Sequence, residues 1–266
     1  MKRAFIAFAL AVSLWSRAGA VCVEQKGFDG ILKANVDSEG FVDYDAIRIN
    51  KGGDLYEYIA FLEAADISQC SDVEKEAFWI NAYNAHMIRL ILARPQMKNM
   101  SEDFKLFGEK FKVAKHDLSL NDIEHRVLRA SLKKGGPIAG LSPAKFDPRI
   151  HFALVWGAFD SPRLLTRSYT AASLEEQLQN AAVNYANTPK YVRVENDKLQ
   201  LPSMLKWYAD DFQPLGGVGT YLAALTDAAH RPDDKVVDEK LAAPDFPANA
   251  DFHFDWTLNS KVNKRK

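Results

Sequence analysis

Apolar residues along this chain recur mostly at helical spacing. Between Asp72 and Arg94, Phe78, Ala82, Ala85 and Arg89 fall on one side and Ile80, Met87 and Ile91 on another, with Pro95 as the stop. More than one apolar stripe predicts a central helix rather than a superficial one. A further helix is announced by "SLNDIEHRVLRA": Ser119 with Asp122 three residues on makes a capping box, and Leu120, Ile123, Val127 and Ala130 form the buried stripe. "LPSMLKWYADDF" begins another, with Ser203 as its cap. In "DPRIHFALVWGAFDSPRL", Asp147 to Leu164, the helical pattern fails. Ile150, Phe152, Leu154 and Trp156 alternate with His151, Ala153 and Val155, and apolar residues on both faces predict a buried central strand that breaks at Gly157. "YVRVENDKLQL" reads as a hairpin turning at Asn196-Asp197. Helices around a small antiparallel sheet give an α+β class.

Composition adds bounds. A chain of 266 residues, 47% of them hydrophobic, can bury a real core, and no repeat or linker interrupts it from Val21 to about Val236. Met1-Lys2-Arg3, the short apolar run "AFIAFALAVSLW" and Ala18-Gly19-Ala20 have the three parts of a secretory signal peptide. The expected layout is therefore a signal peptide over 1–20, one domain over 21–236 and a loosely ordered, Pro-bearing and acidic extension over 237–266. The predicted location is exported, periplasmic or secreted, with no integral membrane segment after cleavage. Lys plus Arg (34) nearly balance Asp plus Glu (35), so no global field points to nucleic acid. Cys22 and Cys70 stand alone; in an exported chain such a pair more often staples than reacts, which predicts a disulfide. Lipidation of Cys22 is the other reading, disfavoured by the bulky Val21 before it.

Several polar residues sit where chemistry is possible. Asn81 and Asn84 share a face of the central helix, either tying loops to it or facing a ligand. Tyr83 admits both readings, and His86 reads as a partly exposed helix residue. Glu124, His125 and Arg129 cluster on the next helix, where they can hold an anionic group or form ordinary surface pairs. His151 opens an apolar run, a poor place for a solvent residue, and Asp160-Ser161 lie beyond its Gly157 break. His151 and Ser161 are ten residues apart, up to ~33 Å if extended, so they meet only if the chain turns back.

Taken together and in order, "AFWINAYNA", "SLNDIEHRVLRA", "DPRIHFALVWGA" and "LPSMLKWYADDF", preceded by "GFVDYDAI", resemble the domain of unknown function 547 family over roughly Phe28 to Phe212. The family pattern has His-Phe-Ala-Leu-Asn-Cys-Gly at the strand and continues to Ser-Cys-Pro. It invites comparison with papain- and transglutaminase-like folds, in which a cysteine works with a histidine and a third polar group. By that resemblance His151 is the strand histidine, Glu124 and His125 the Glu-His pair, Arg129 the following arginine, and Asn81 and Asn84 the helix asparagines. This chain departs where the thiols should be: it has Val155-Trp156 for Asn-Cys and Asp160-Ser161-Pro162 for Ser-Cys-Pro.

The departure predicts a non-catalytic binding or interaction domain whose cleft uses His151, Glu124 and Asn81, with a small molecule, peptide or protein as ligand and no cofactor. The alternative is a hydrolase or acyltransferase with Ser161 as nucleophile, His151 as base and Glu124 in support. A metal site from His151, His125 and Glu124 ranks last, since no spacing such as H-E-x-x-H is present.

Overall fold

The computed structural model describes Cys22 and residues 26–130, 140–226 and 234–264. The expected signal peptide, 1–20, lies outside the described residues. The class is α+β: helices dominate, with one two-stranded and one three-stranded sheet.

The helix Asp72–Leu92 runs through the middle of the core. Ser71 caps it, its hydroxyl accepting from Glu74 N–H while the Glu74 carboxylate accepts from Ser71 N–H, and this reciprocal box fixes where the helix begins. Fourteen of its residues, from Ala77 to Ile91, are buried on every face, as the double stripe predicted. His86 is among them. It is fully buried, stacked 3.7 Å from the Phe111 ring and accepting from Arg89 Nε at Nδ1, so the expectation of a partly exposed residue is corrected. On one flank the helices Lys26–Asn35 and Gly52–Ala64 pack together, with Phe28 stacked on Tyr58 at 5.0 Å.

Strands β1 (Phe111–Val113) and β2 (His116–Leu118) form an antiparallel pair. In the second sheet β3 (Arg193–Glu195) and β4 (Lys198–Pro202) make the expected hairpin. Its turn residues Asn196 and Asp197 both have positive φ, 49° and 61°, the backbone that these side chains tolerate best after glycine. Strand β5 (Ala250–His253) adds to β4 in parallel, so this sheet is mixed rather than purely antiparallel.

The apolar run after Asp147 is not a strand. Pro148–Phe152 is a 3₁₀ turn: Asp147 caps it by accepting from Arg149 N–H, and Pro148 presets φ at its first position. Beyond it the backbone is satisfied by a side chain instead of a neighbouring strand, since Asn84 donates to Ala153 C=O and accepts from Val155 N–H. Buried irregular chain and buried strand have the same apolar content, which is why alternation misled. Gly157 does break the run: its φ is +71°, and an added Cβ would lie 2.5 Å from Ile91 Cδ1. Ser203 is the first residue of the short helix Ser203–Trp207, with Pro202 at the cap position, so it does not cap as expected.

The C-terminal stretch, expected to be loose, is laced into the body by backbone bonds. Met100 N–H donates to Trp256 C=O, Leu258 N–H to Lys98 C=O, Asn259 N–H to Gly157 C=O and Val42 N–H to Asn259 C=O. Such bonds are made by the main chain and leave no mark on composition. Among the described residues no helix is long and apolar enough to cross a membrane.

Cys22 and Cys70 are joined, with a sequence separation of 48, and Cys22 N–H also donates to Glu74. Closing a loop of this length removes about 4 kcal/mol of unfolded-chain entropy. Reduction, or the Cys22→Ser/Cys70→Ser double variant, is expected to lower stability by up to about that amount in urea unfolding. An unchanged midpoint overturns this.

Candidate functional site

The site begins at the capped turn Leu120–Asp122, where Ser119 and Asp122 form the capping box read from sequence. The chain then widens into a π-helix over Ile123–Leu128, a geometry common where a helix delivers side chains to a site. It points Glu124 inward, leaves His125 about a third exposed and places Arg129 at the edge of the core.

Arg129 meets a partner 82 positions away. Its Nε donates to Asp211 Oδ2 at 2.6 Å and its Nη2 to Oδ1 at 2.7 Å, a bidentate pair in which both side chains are nearly buried. His151 Nε2 lies 2.7 Å from the same Oδ2. The Tyr208 ring stacks on the imidazole at 4.0 Å, carries the Arg129 guanidinium 4.8 Å from its centroid, and donates its hydroxyl to Glu124 Oε1. Arg129 Nη1 also touches His125 Nδ1 at 3.1 Å. The structure thus brings together Glu124, His125, Arg129 and His151, and adds Tyr208 and Asp211.

Charge follows from burial and partners. Burial alone would raise the Asp211 carboxyl, but the hydrogen bonds from His151 and Arg129 prevail and hold it at about 2. Burial pushes the His151 imidazole below its ordinary range, against the pull of Asp211, so it is neutral at pH 7. An ionised carboxylate only accepts; Nε2 therefore carries the proton and Nδ1 keeps the lone pair. Burial drives Glu124 up to about 7, against the Tyr208 hydrogen bond and the Arg129 charge. The buried Tyr83 hydroxyl faces it as well, without completing a hydrogen bond. The cluster therefore holds a fixed ion pair, a neutral imidazole and a carboxyl that exchanges its proton near neutrality.

Other sequence candidates lie elsewhere. Asn81 exchanges both carboxamide bonds with the Tyr169 backbone, and Asn84 spends its own on Ala153 and Val155, which makes them ties between the central helix and two loops. Ser161 Oγ accepts from Ala158 N–H in the turn after Gly157, and Tyr191 donates to its carbonyl. Among the described residues no hydrogen bond joins Ser161 to His151. The donor atoms of His151, His125 and Glu124 do not gather closely enough to share an ion; among the described residues that closeness occurs only at Cys22, Cys70 and Glu74, where the sulfurs are already bonded to each other.

Position 156, where the resemblance implies a cysteine, holds an indole. Trp156 packs against Tyr208 at 5.9 Å, Trp207 at 5.8 Å, Phe254 at 5.5 Å and Trp256 at 6.2 Å, an aromatic surface that reaches from beside His151 to the half-exposed Trp207. Tyr208 and Asp211 were missed from sequence. The signal available was that an arginine and a histidine headed for the core require a counter-charge, and "YADDF" offers one.

Glu124 gives a pH test. Its folded value lies above the unfolded 4.5, so the native state holds the extra proton and stability falls as pH rises from about 4.5 to about 7. Between about pH 5 and about pH 8 the wild type is expected to lose about 3 kcal/mol more than Glu124→Gln in urea unfolding. Equal losses in the two proteins overturn the assignment.

No curated protein and no solved structure matches this chain. A family model does, over residues 67–186, a span that contains the central helix, Glu124 to Arg129, His151 and Trp156 but stops before Tyr208 and Asp211. Residues 67–186 are similar to the family described as protein of unknown function, DUF547.

Proposed function

We propose that this protein is an exported, non-catalytic binding domain of the DUF547 family, and that its ligand sits at the Glu124–His125–Arg129–His151 cluster. The observation that carries the reading is Trp156. A thiol at that position would sit beside the ring that covers His151, whereas an indole fills the space and offers only an apolar face. The frame that would position a nucleophile is kept and the nucleophile is absent. What remains is recognition chemistry: a partly exposed imidazole at His125, a carboxyl at Glu124 that can donate or accept, and an aromatic surface from Tyr208 to Trp207. This combination suits a polar ligand with one flat apolar face. The signal-like N-terminus and the Cys22–Cys70 bond both support export.

The hydrolase reading needs His151 within about 3 Å of Ser161 to take its proton. Against it stands the Ser161 hydroxyl engaged with Ala158 N–H and the His151 Nε2 engaged with Asp211. The test is a turnover panel of amides, esters and glycans, run beside fluorophosphonate labelling. The expected result is neither turnover nor labelling, with tryptophan fluorescence reporting saturable binding to at least one panel compound that weakens tenfold or more in Trp207→Ala. Turnover that disappears in His151→Ala, or labelling at Ser161, overturns the proposal.

A further inference from the structure

A cavity of about 330 Å³ opens beside the helix Leu174–Asn187, and none of the residues of the His151 cluster lines it. Its volume lies at the lower end of the range for small-molecule sites. Two arginines, Arg163 and Arg167, line it, and among the described residues neither is paired with a carboxylate. Arg163 Nε is shut off from solvent and has no hydrogen-bond partner. Tyr185 also lines the cavity; it is 1% exposed, its ring is held between Phe152 at 5.0 Å and Tyr191 at 4.1 Å, and its hydroxyl has no partner either.

Two guanidinium groups without a carboxylate partner among the described residues, in the wall of one cavity, leave donors open to an acceptor. The charge says which kind. Glu176, exposed at the rim, is the one carboxylate among the lining residues, so the two guanidinium groups leave the cavity net positive. A guanidinium presents a planar fork of donors that matches the oxygens of a carboxylate or phosphate group. Around it the wall offers the amides of Asn180 and Asn184 and the apolar face of Phe152, which suit the uncharged remainder of a small molecule.

We propose that this cavity is a second binding site, separate from the His151 cluster, and that it takes a small organic anion whose carboxylate or phosphate group is held by Arg163 and Arg167. No part of this argument requires the His151 cluster to bind anything, so the two proposals fail separately.

Isothermal titration of the full chain with benzoate, phenyl phosphate and inorganic phosphate tests it. Saturable binding of at least one probe is expected, weakened tenfold or more by Arg163→Gln, with Arg193→Gln, on the hairpin away from the cavity, as a control that binds normally. Binding of benzoate but not the phosphates marks a carboxylate ligand; the reverse marks a phosphate ester or free phosphate, which the comparison of phenyl phosphate with inorganic phosphate distinguishes. Where Arg163→Gln fails to fold by circular dichroism, Arg167→Gln, at an exposed position, carries the same expectation. Absence of saturable binding to all three probes, or affinities unchanged in the arginine variants, overturns the proposal.

Discussion

The carboxylate of Asp211 organises the candidate site. One oxygen accepts from both Arg129 Nε and His151 Nε2, and the other accepts from Arg129 Nη2, so a single side chain joins the π-helix, the Pro148–Phe152 turn and the 3₁₀ segment Ala209–Leu215. A buried pair of this kind adds little net stability, because the desolvation of both ions offsets most of their attraction. Its consequence is specificity. Any arrangement that separates the three elements leaves a guanidinium or an imidazole N–H in the core without an acceptor, at the cost that attaches to unsatisfied buried groups. Tyr208, three residues before Asp211, is then placed on top of His151, and its hydroxyl reaches Glu124. Burial among these rings, with the Asp211 charge nearby, shifts Glu124 upward against the pull of the Tyr208 hydrogen bond.

Much of the framework was legible because it is local. The double-stripe helix, the Ser119–Asp122 capping box and the Asn196-Asp197 turn each depend on residues within a few positions of one another, and each appears where the pattern put it. The expectation for Ile150 to Trp156 failed for a long-range reason: Asn84 hydrogen-bonds that backbone from 69 and 71 positions away, leaving the run no need of a neighbouring strand. The same distance hid the partner of Arg129. Four of the seven site candidates, Glu124, His125, Arg129 and His151, do converge, whereas Asn81, Asn84 and Ser161 are engaged with backbone groups outside that cluster.

The indole of Trp156 is covered by residues that lie outside the segment matched by the family model. Trp207, Phe254 and Trp256, which surround the indole, all follow residue 186. Phe254 and Trp256 belong to the stretch whose backbone is tied to Lys98, Met100 and Phe159, so the cover over Trp156 is held in place by main-chain bonds rather than by aromatic contact alone. An indole buries far more surface than a thiol, and a site built for the smaller group would be left with a large apolar side chain facing water. Here that surface is taken up by the C-terminal stretch. The indole at Trp156 and the lacing of residues 250–264 into the body are therefore parts of one packing solution, in which the wall beside His151 is aromatic and its outer edge, at Trp207, remains open to solvent.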